Sequence, residues 1–503
     1  MMDSRSTSPW SGPGADLHLE LRGTRLRAGS HTGPGTGPRT GLRAGLTDAL
    51  REAVRDGRLA PGTRLPSSRS LAADLGVARN TVVDAYAELV AEGWLTARQG
   101  SGTRVAAQAV TLAAPRTART AHPARTADTG RTGPGTPRYS LVPGSPDLSS
   151  FPRTAWLRAA RRALTDAPNE AFGYGDPRGR VELRTALAGY LARTRGVRCD
   201  PDRIVVCAGF AHGLTLLAGL LRARGADAVA VESHGLDLHR ALLAERGLRL
   251  PPLPFDARGT VTGAGVTPPG TAAVLLTPAH QFPLGSPLHP DRRTAVVDWA
   301  RSTGGLIVED DYDGEFRYDR RPVGALQGLD PDRVVYCGTA SKALAPGLRL
   351  GWLVLPARLV DEVLALKGGV RASDWALSTP DQLTLAGFIG SGAYDRQVRA
   401  MRQRYRRRRD ELVAALAERA PGVGVRGIAA GLHAVLDLPP GTEDAVVRAA
   451  ARRGLALEGL SGFRHPEVPA TGDALVVGYG GPSDSAWPGT LDALCRVLPT
   501  DDR

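Results

Sequence analysis

Leu306-Ile307-Val308-Glu309-Asp310-Asp311-Tyr312-Asp313 runs from an apolar triplet directly into a cluster of acids and one phenol. The triplet reads as a buried strand, so the acids emerge at its carboxyl end, where open α/β sheets place their ligands. Four other apolar runs repeat the pattern: Ile204-Val205-Val206, Ala228-Val229-Ala230-Val231, Ala273-Val274-Leu275-Leu276 and Val334-Val335-Tyr336, with helical segments between most of them. Such alternation predicts an α/β domain on a mainly parallel sheet. Read alone, the acidic segment is as readily a solvated surface loop or a divalent-cation loop as part of a ligand site.

The lysines favour a third reading. Of 64 Lys and Arg residues only two are lysine, Lys342 and Lys367. Arginine supplies charge and phosphate contacts but cannot form an imine; a lysine amine can. Lys342 lies in Gly338-Thr339-Ala340-Ser341-Lys342-Ala343-Leu344-Ala345-Pro346-Gly347-Leu348-Arg349, with hydroxyls before the amine and an arginine after it. A site for pyridoxal phosphate needs such an amine, an acid to keep the pyridine nitrogen protonated, a hydroxyl near the ring oxygen, and donors around the phosphate. Asp310 and Tyr312 fill the second and third roles. Gly209 ends the strand Ile204 to Cys207 and precedes a helix starting near Phe210-Ala211-His212, whose N-terminal amides suit an anion. Thr339, Ser341 and Arg349 add side-chain donors. Lys367 has no comparable neighbours and reads as an ordinary lysine.

The 503 residues suffice for two to four domains, and their net charge of +13 points to an anionic polymer as a partner. Cys199, Cys207, Cys337 and Cys495 lack CxxC spacing, which indicates neither a zinc site nor a disulfide framework and suits a reducing cytoplasm. No metal ligand set is expected. Apolar stretches stop short of membrane-spanning length, so the chain reads as soluble, unexported and without a membrane partner. Residues 1–40, rich in Gly, Pro, Thr and Arg, read as a disordered tail, and 106–138 as a flexible basic linker.

Between tail and linker, residues 41–105 read as a compact head. Leu46 to Val54 has helical spacing, Ser68 to Leu75 forms a second helix, Gly76-Val77-Ala78 turns, and Arg79 to Leu89 forms a third with Val82, Ala85, Tyr86 and Leu89 on one face. Trp94-Leu95-Thr96 and Thr103-Arg104-Val105 make a hairpin wing. This is winged helix-turn-helix geometry, with Arg79, Asn80 and Thr81 at the start of the helix that enters a major groove.

Leu65-Pro66-Ser67-Ser68-Arg69, Gly76 to Val82 and Gly93-Trp94-Leu95 followed by Gly100-Ser101-Gly102-Thr103 resemble the DNA-binding domain of GntR regulators. The resemblance implies that Arg69 and Thr81 contact phosphate, that Arg79 and Asn80 approach bases of a double-stranded operator, and that Gly100 lets the wing lie on the minor groove. Phe172-Gly173-Tyr174-Gly175-Asp176-Pro177-Arg178-Gly179, Thr277-Pro278-Ala279-His280-Gln281-Phe282-Pro283, the acidic segment and the lysine segment resemble fold-type I aminotransferases. The fusion resembles the MocR/GabR regulators. It implies a multidomain chain whose residues 139–503 form an α/β aminotransferase-like domain, with a large lobe at about 170–395 and a smaller α+β lobe at about 396–503. It further implies a homodimer in which Tyr174 reaches the cofactor phosphate of the neighbouring subunit, while His280 and Gln281 lie beside the ring.

Three departures stand out. Gly209-Phe210-Ala211-His212 replaces the usual Gly-Ser-Gln-Gln; Leu236 occupies the ring-stacking aromatic position, which leaves His234 or Phe210 as substitutes; and Leu475-Val476-Val477-Gly478-Tyr479 lacks a carboxylate-clamping arginine. Arg240 reads either as pocket-facing or as a solvated helix residue. The function implied is a regulator that senses an amine or amino acid by imine exchange at Lys342. An active aminotransferase with an appended head and a regulator that has lost its cofactor are the alternatives.

Overall fold

The computed structural model describes residues 42–55, 59–98, 102–106, 137–318, 323–367, 377–470 and 472–499. The expected tail, Gly100 and nearly all of the expected linker lie outside these residues. The chain divides into two units, Met1–Ala124 and Arg125–Arg503.

The first unit has helices Leu42–Arg55, Ser68–Leu75 and Arg79–Ala91 and a hairpin of Leu95–Arg98 with Gly102–Val105. Ser67 caps the second helix by accepting from the Ser70 amide at 3.1 Å, and Gly76 closes it in the left-handed region at φ 64°. The third helix buries the predicted face, Val82, Ala85, Tyr86 and Leu89, against Leu46, Leu50, Leu71 and Leu95. Tyr86 also donates to the Pro66 carbonyl at 3.0 Å, fixing the turn that precedes the second helix. The unit is a winged helix-turn-helix.

The second unit is built on a seven-stranded sheet in the order Ile204–Cys207, Gly351–Val354, Val334–Thr339, Leu306–Asp310, Thr271–Leu276, Ala228–Glu232, Pro252–Leu253. All five predicted strands are in it. Gly351–Val354 runs antiparallel to both neighbours, and the remaining pairs are parallel. Ile204–Cys207 is buried throughout, which is why it reads as an unbroken apolar run; Leu306–Asp310 is equally buried but carries Glu309 and Asp310 at its end. Helix Phe210–Ala223 packs Leu214, Leu217 and Leu221 on one face, while Val296, Val297 and Trp299 of helix Pro290–Thr303 cover the other.

A second, antiparallel sheet joins Val425–Arg426, His433–Asp437, Ala474–Gly478 and Glu458–Gly459, with helices Ala393–Arg419, Glu443–Arg452 and Trp487–Cys495 alongside it in sequence. Tyr139–Ser140 pairs in parallel with Leu455–Ala456, the segment just before the smaller sheet's strand Glu458–Gly459. The architecture is the expected α/β body with a smaller α+β lobe. Among the described residues no helix is long and apolar enough to cross a membrane.

Candidate functional site

The acidic segment is neither a solvated loop nor a convergent cation loop. Side chains alternate along a strand, and its carboxylates part accordingly. Glu309 is fully buried and accepts from the Leu326 and Gln327 amides at 2.7 and 2.9 Å. Asp311 is gripped by Arg195 at 2.6 and 2.9 Å and by the Tyr336 hydroxyl at 2.7 Å. Asp313 stands 2.8 Å from His280 Nδ1. Asp310 alone of these four lines a cavity of about 280 Å³, and among the described residues it accepts no hydrogen bond. Burial drives its pKa well above the carboxylate range, opposed by the charge of Lys342.

Lys342 lines the same cavity, its Nζ donating to the Gly144 carbonyl at 2.5 Å. Burial lowers its pKa, and Asp310 and Asp313 pull the other way. Tyr312 faces the cavity with its hydroxyl 3.1 Å from both the His280 carbonyl and Nδ1.

At another part of the wall, Gly209 caps helix Phe210–Ala223 with φ 82° and ψ 174°, a conformation essentially reserved for glycine. A Cβ there would lie 3.5 Å from Arg349 Nη1. Arg349 is the only non-glycine residue with positive φ, 51°, among the described residues, and it follows the turn Pro346–Leu348. Gly351 lets this strand cross Gly209, because a Cβ at 351 would meet the Gly209 Cα at 2.9 Å. Thr339 and Ser341, joined at 2.9 Å through their hydroxyls, complete this side together with Phe210 and Ala211.

Two residues expected beside the ring stand elsewhere. His280 and Gln281 do not line the cavity; they form the layer behind it. The Gln281 amide donates to the Phe282 carbonyl of its own turn at 2.7 Å and to the His234 carbonyl and Glu232 carboxylate of the cavity wall at 3.0 and 3.4 Å, and accepts from the Leu284 amide at 2.9 Å. Tyr174 is fully exposed and lines a separate cavity with Arg180, Lys367 and Gln382. Lys367 is not the ordinary lysine expected: it is 2% exposed, and Nζ donates to the Pro177 and Val206 carbonyls at 2.6 Å each.

Sequence reading missed His239, Glu232 and His433, which also line the cavity. His239 packs on Phe210 with ring centroids 4.7 Å apart. It lies one helical turn beyond Leu236, and that i, i+3 spacing was the available signal. Burial, with the Lys342 and Arg240 charges, lowers its pKa to about 4 and leaves it neutral. His280, Asp313 and His433 bring ligand-type atoms within 4.8 Å of one another, but hydrogen bonds already engage them, His433 through the Pro283 carbonyl at 3.0 Å.

In the head, Arg69, Arg79 and Asn80 are exposed and Thr81 is half-buried.

Pyridoxal 5'-phosphate fits this donor set. A buried carboxylate without a hydrogen-bond partner, an amine, a phenol and a glycine-opened helix terminus beside a guanidinium share one cavity. Fold and site together define a DNA-binding head carried by an aminotransferase body. Residues 42–105 match the bacterial regulatory proteins of the gntR family, and residues 144–469 match the class I and II aminotransferases. The chain is 36% identical over 415 residues to the pyridoxine biosynthesis transcriptional regulator PdxR of Corynebacterium glutamicum, covering 81% of this chain and 85% of that protein. It is 35% identical to the probable rhizopine catabolism regulatory protein MocR of Rhizobium meliloti, covering 84% and 87%. Among solved structures, an archaeal alanine:glyoxylate aminotransferase shares the fold at TM-score 0.63 and 22% identity, over 72% of this chain and 90% of that one. The N-succinyldiaminopimelate aminotransferase of Mycobacterium tuberculosis does so at 0.61 and 24%, over 71% and 93%. The chain belongs to the MocR-type transcriptional regulators, GntR-headed proteins with an aminotransferase-like domain whose cofactor is pyridoxal 5'-phosphate.

Proposed function

We propose that the body senses a primary amine or amino acid by exchange at Lys342, and that this exchange changes how the head binds operator DNA in a cytoplasmic homodimer. The observation that carries the reading is the shared cavity of Lys342, Asp310, Tyr312 and the Gly209–Arg349 corner. Bound pyridoxal phosphate supplies an aldehyde carbon that condenses with primary amines and a ring that withdraws electrons from it. Arg349, the amides following Gly209, Thr339 and Ser341 would hold its phosphate. Asp310 keeps a proton on the pyridine nitrogen, and Tyr312 orients a hydroxyl toward the ring oxygen. Lys342, made less basic by burial, is the resident nucleophile. As a free ammonium, Lys342 would donate to the Gly144 carbonyl, the contact its Nζ makes in this structure. The loop carrying Gly144 lies against the smaller lobe: the Gly478 amide donates to the Leu141 carbonyl at 2.7 Å, and a Cβ at Gly478 would meet Pro143 Cα at 2.7 Å. The state of Lys342 therefore bears on a contact between lobes, and a ligand shifts an equilibrium only through such differential contacts.

The test uses full-length, cofactor-loaded protein and genomic fragments that it captures itself. An amine that changes the cofactor's absorption should change DNA affinity in fluorescence anisotropy, and DNA should change amine affinity by the same factor. Amines that alter absorption yet leave DNA affinity unmoved contradict the coupling. A second reading, a working aminotransferase, draws on the same complete donor set and is separated by sustained keto-acid production.

A further inference from the structure

Arg240 is the cation of this cavity that the cofactor roles leave unused. It lies on helix Asp237–Ala244 and lines the cavity, yet the residue is only 8% exposed. Its Nη1 is committed to two backbone carbonyls, Gly235 and Phe463, each at 3.1 Å. The opposite edge is not. Nε is buried with no hydrogen-bond partner, and Nη2 reaches Asp237 at 3.5 Å, a carboxylate whose side chain is 77% exposed. A buried guanidinium with a solvent-screened counter-charge carries an uncompensated desolvation cost, which an anion at the cavity removes. The Nε–Nη2 edge is the fork with which arginine grips a carboxylate in two parallel hydrogen bonds.

We infer that Arg240 anchors a carboxylate of the effector, which is therefore an amino acid rather than a simple amine. This rests on the reading of Lys342 as the exchange site. It also reassigns the carboxylate clamp: the strand Ala474–Gly478 offers no arginine, and the helix following Glu232 supplies one instead. The same side chain ties two lobes, since Gly235 belongs to the large lobe and Phe463 to the turn Leu460–Phe463 beside the smaller sheet. The Gly235 amide donates to Phe463 at 2.9 Å, and the His465 amide donates to Ser233 at 2.8 Å, so Arg240 sits on an existing seam. Turning its free edge to a carboxylate loads that seam directly.

The experiment titrates cofactor-loaded full-length protein with matched pairs, glycine and methylamine, β-alanine and ethylamine, 4-aminobutanoate and propylamine, following the cofactor's absorption. In the wild type at least one carboxylate member should act at about tenfold lower concentration than its partner or better, the scale of a charge-assisted fork. Arg240→Gln, which keeps a polar side chain and leaves the cofactor contacts alone, should erase that preference while retaining the starting spectrum. An undiminished preference in Arg240→Gln, or no preference in any wild-type pair, overturns the inference. If borohydride fixes no cofactor on Lys342, the exchange reading itself fails, which is a separate result.

Discussion

Asp310 and Asp311 are consecutive residues whose carboxylates serve opposite faces of one sheet: Asp310 lines the Lys342 cavity, and Asp311 is clasped by buried Arg195. One residue of register separates a ligand group from a structural ion pair.

The two asparagine variants should therefore diverge. Asp310→Asn replaces a buried carboxyl that has no hydrogen-bond partner by a neutral group of the same shape, so the cofactor-free protein should keep or raise its Tm while cofactor affinity falls about tenfold or more. Asp311→Asn leaves Arg195 buried with a weakened partner and should cost about 3–5 kcal/mol, as breaking one side of a buried pair does. Thermal scans and equilibrium dialysis check both; similar Tm losses in the two variants would refute the assignment of faces.

Lys367 gives a pH prediction. Burial lowers its pKa to about 8, against about 10.4 for an unfolded lysine. Between those values the unfolded chain holds a proton that the folded chain has released, so the lysine's contribution to stability rises with pH across about 8 to 10.4. The Tm of wild type relative to Lys367→Met should climb by a few degrees over that window. A constant difference would show that the amine titrates normally.

Gly209→Ala places a side chain where φ and ψ suit only glycine, at about 1–3 kcal/mol, and directs a methyl toward Arg349. Cofactor affinity should fall at least tenfold while the amine preference of the retained complexes is unchanged. Calorimetric titration with pyridoxal phosphate measures the first, and unaltered affinity would remove Gly209 from the phosphate site.

In the head, Arg79→Ala should lose about 1–3 kcal/mol of operator binding and relax base preference, as a base-reading arginine does. Arg69→Ala should weaken all sequences alike and lower the salt slope by about one. Anisotropy over a salt series separates the two behaviours, and identical responses would contradict the distinct roles.

The five strands were legible because each carries an apolar run of at least three residues, as strands buried on both faces do. The antiparallel course of Gly351–Val354 was not, since composition carries no direction. Asp310, Tyr312 and Lys342 could be read from chemistry and from a strand's end. His239 and Arg240 depend on how one crossover helix sits over the cavity, which only packing decides. Lys367 was misread because its partners are backbone carbonyls of Pro177 and Val206, 190 and 161 positions away, and a carbonyl leaves no mark in the sequence. Gln281 was named by resemblance alone, and its amide reaches the cavity wall through Glu232 and His234, contacts that no spacing in the sequence marks.

The chain's two lysines make the central claim unusually direct to test. Pyridoxal phosphate-loaded protein is reduced with borohydride, digested and mapped by mass spectrometry. The reduced cofactor is expected on the peptide containing Lys342 and not on that containing Lys367; cofactor on Lys367, or on neither lysine, overturns Lys342 as the exchange site.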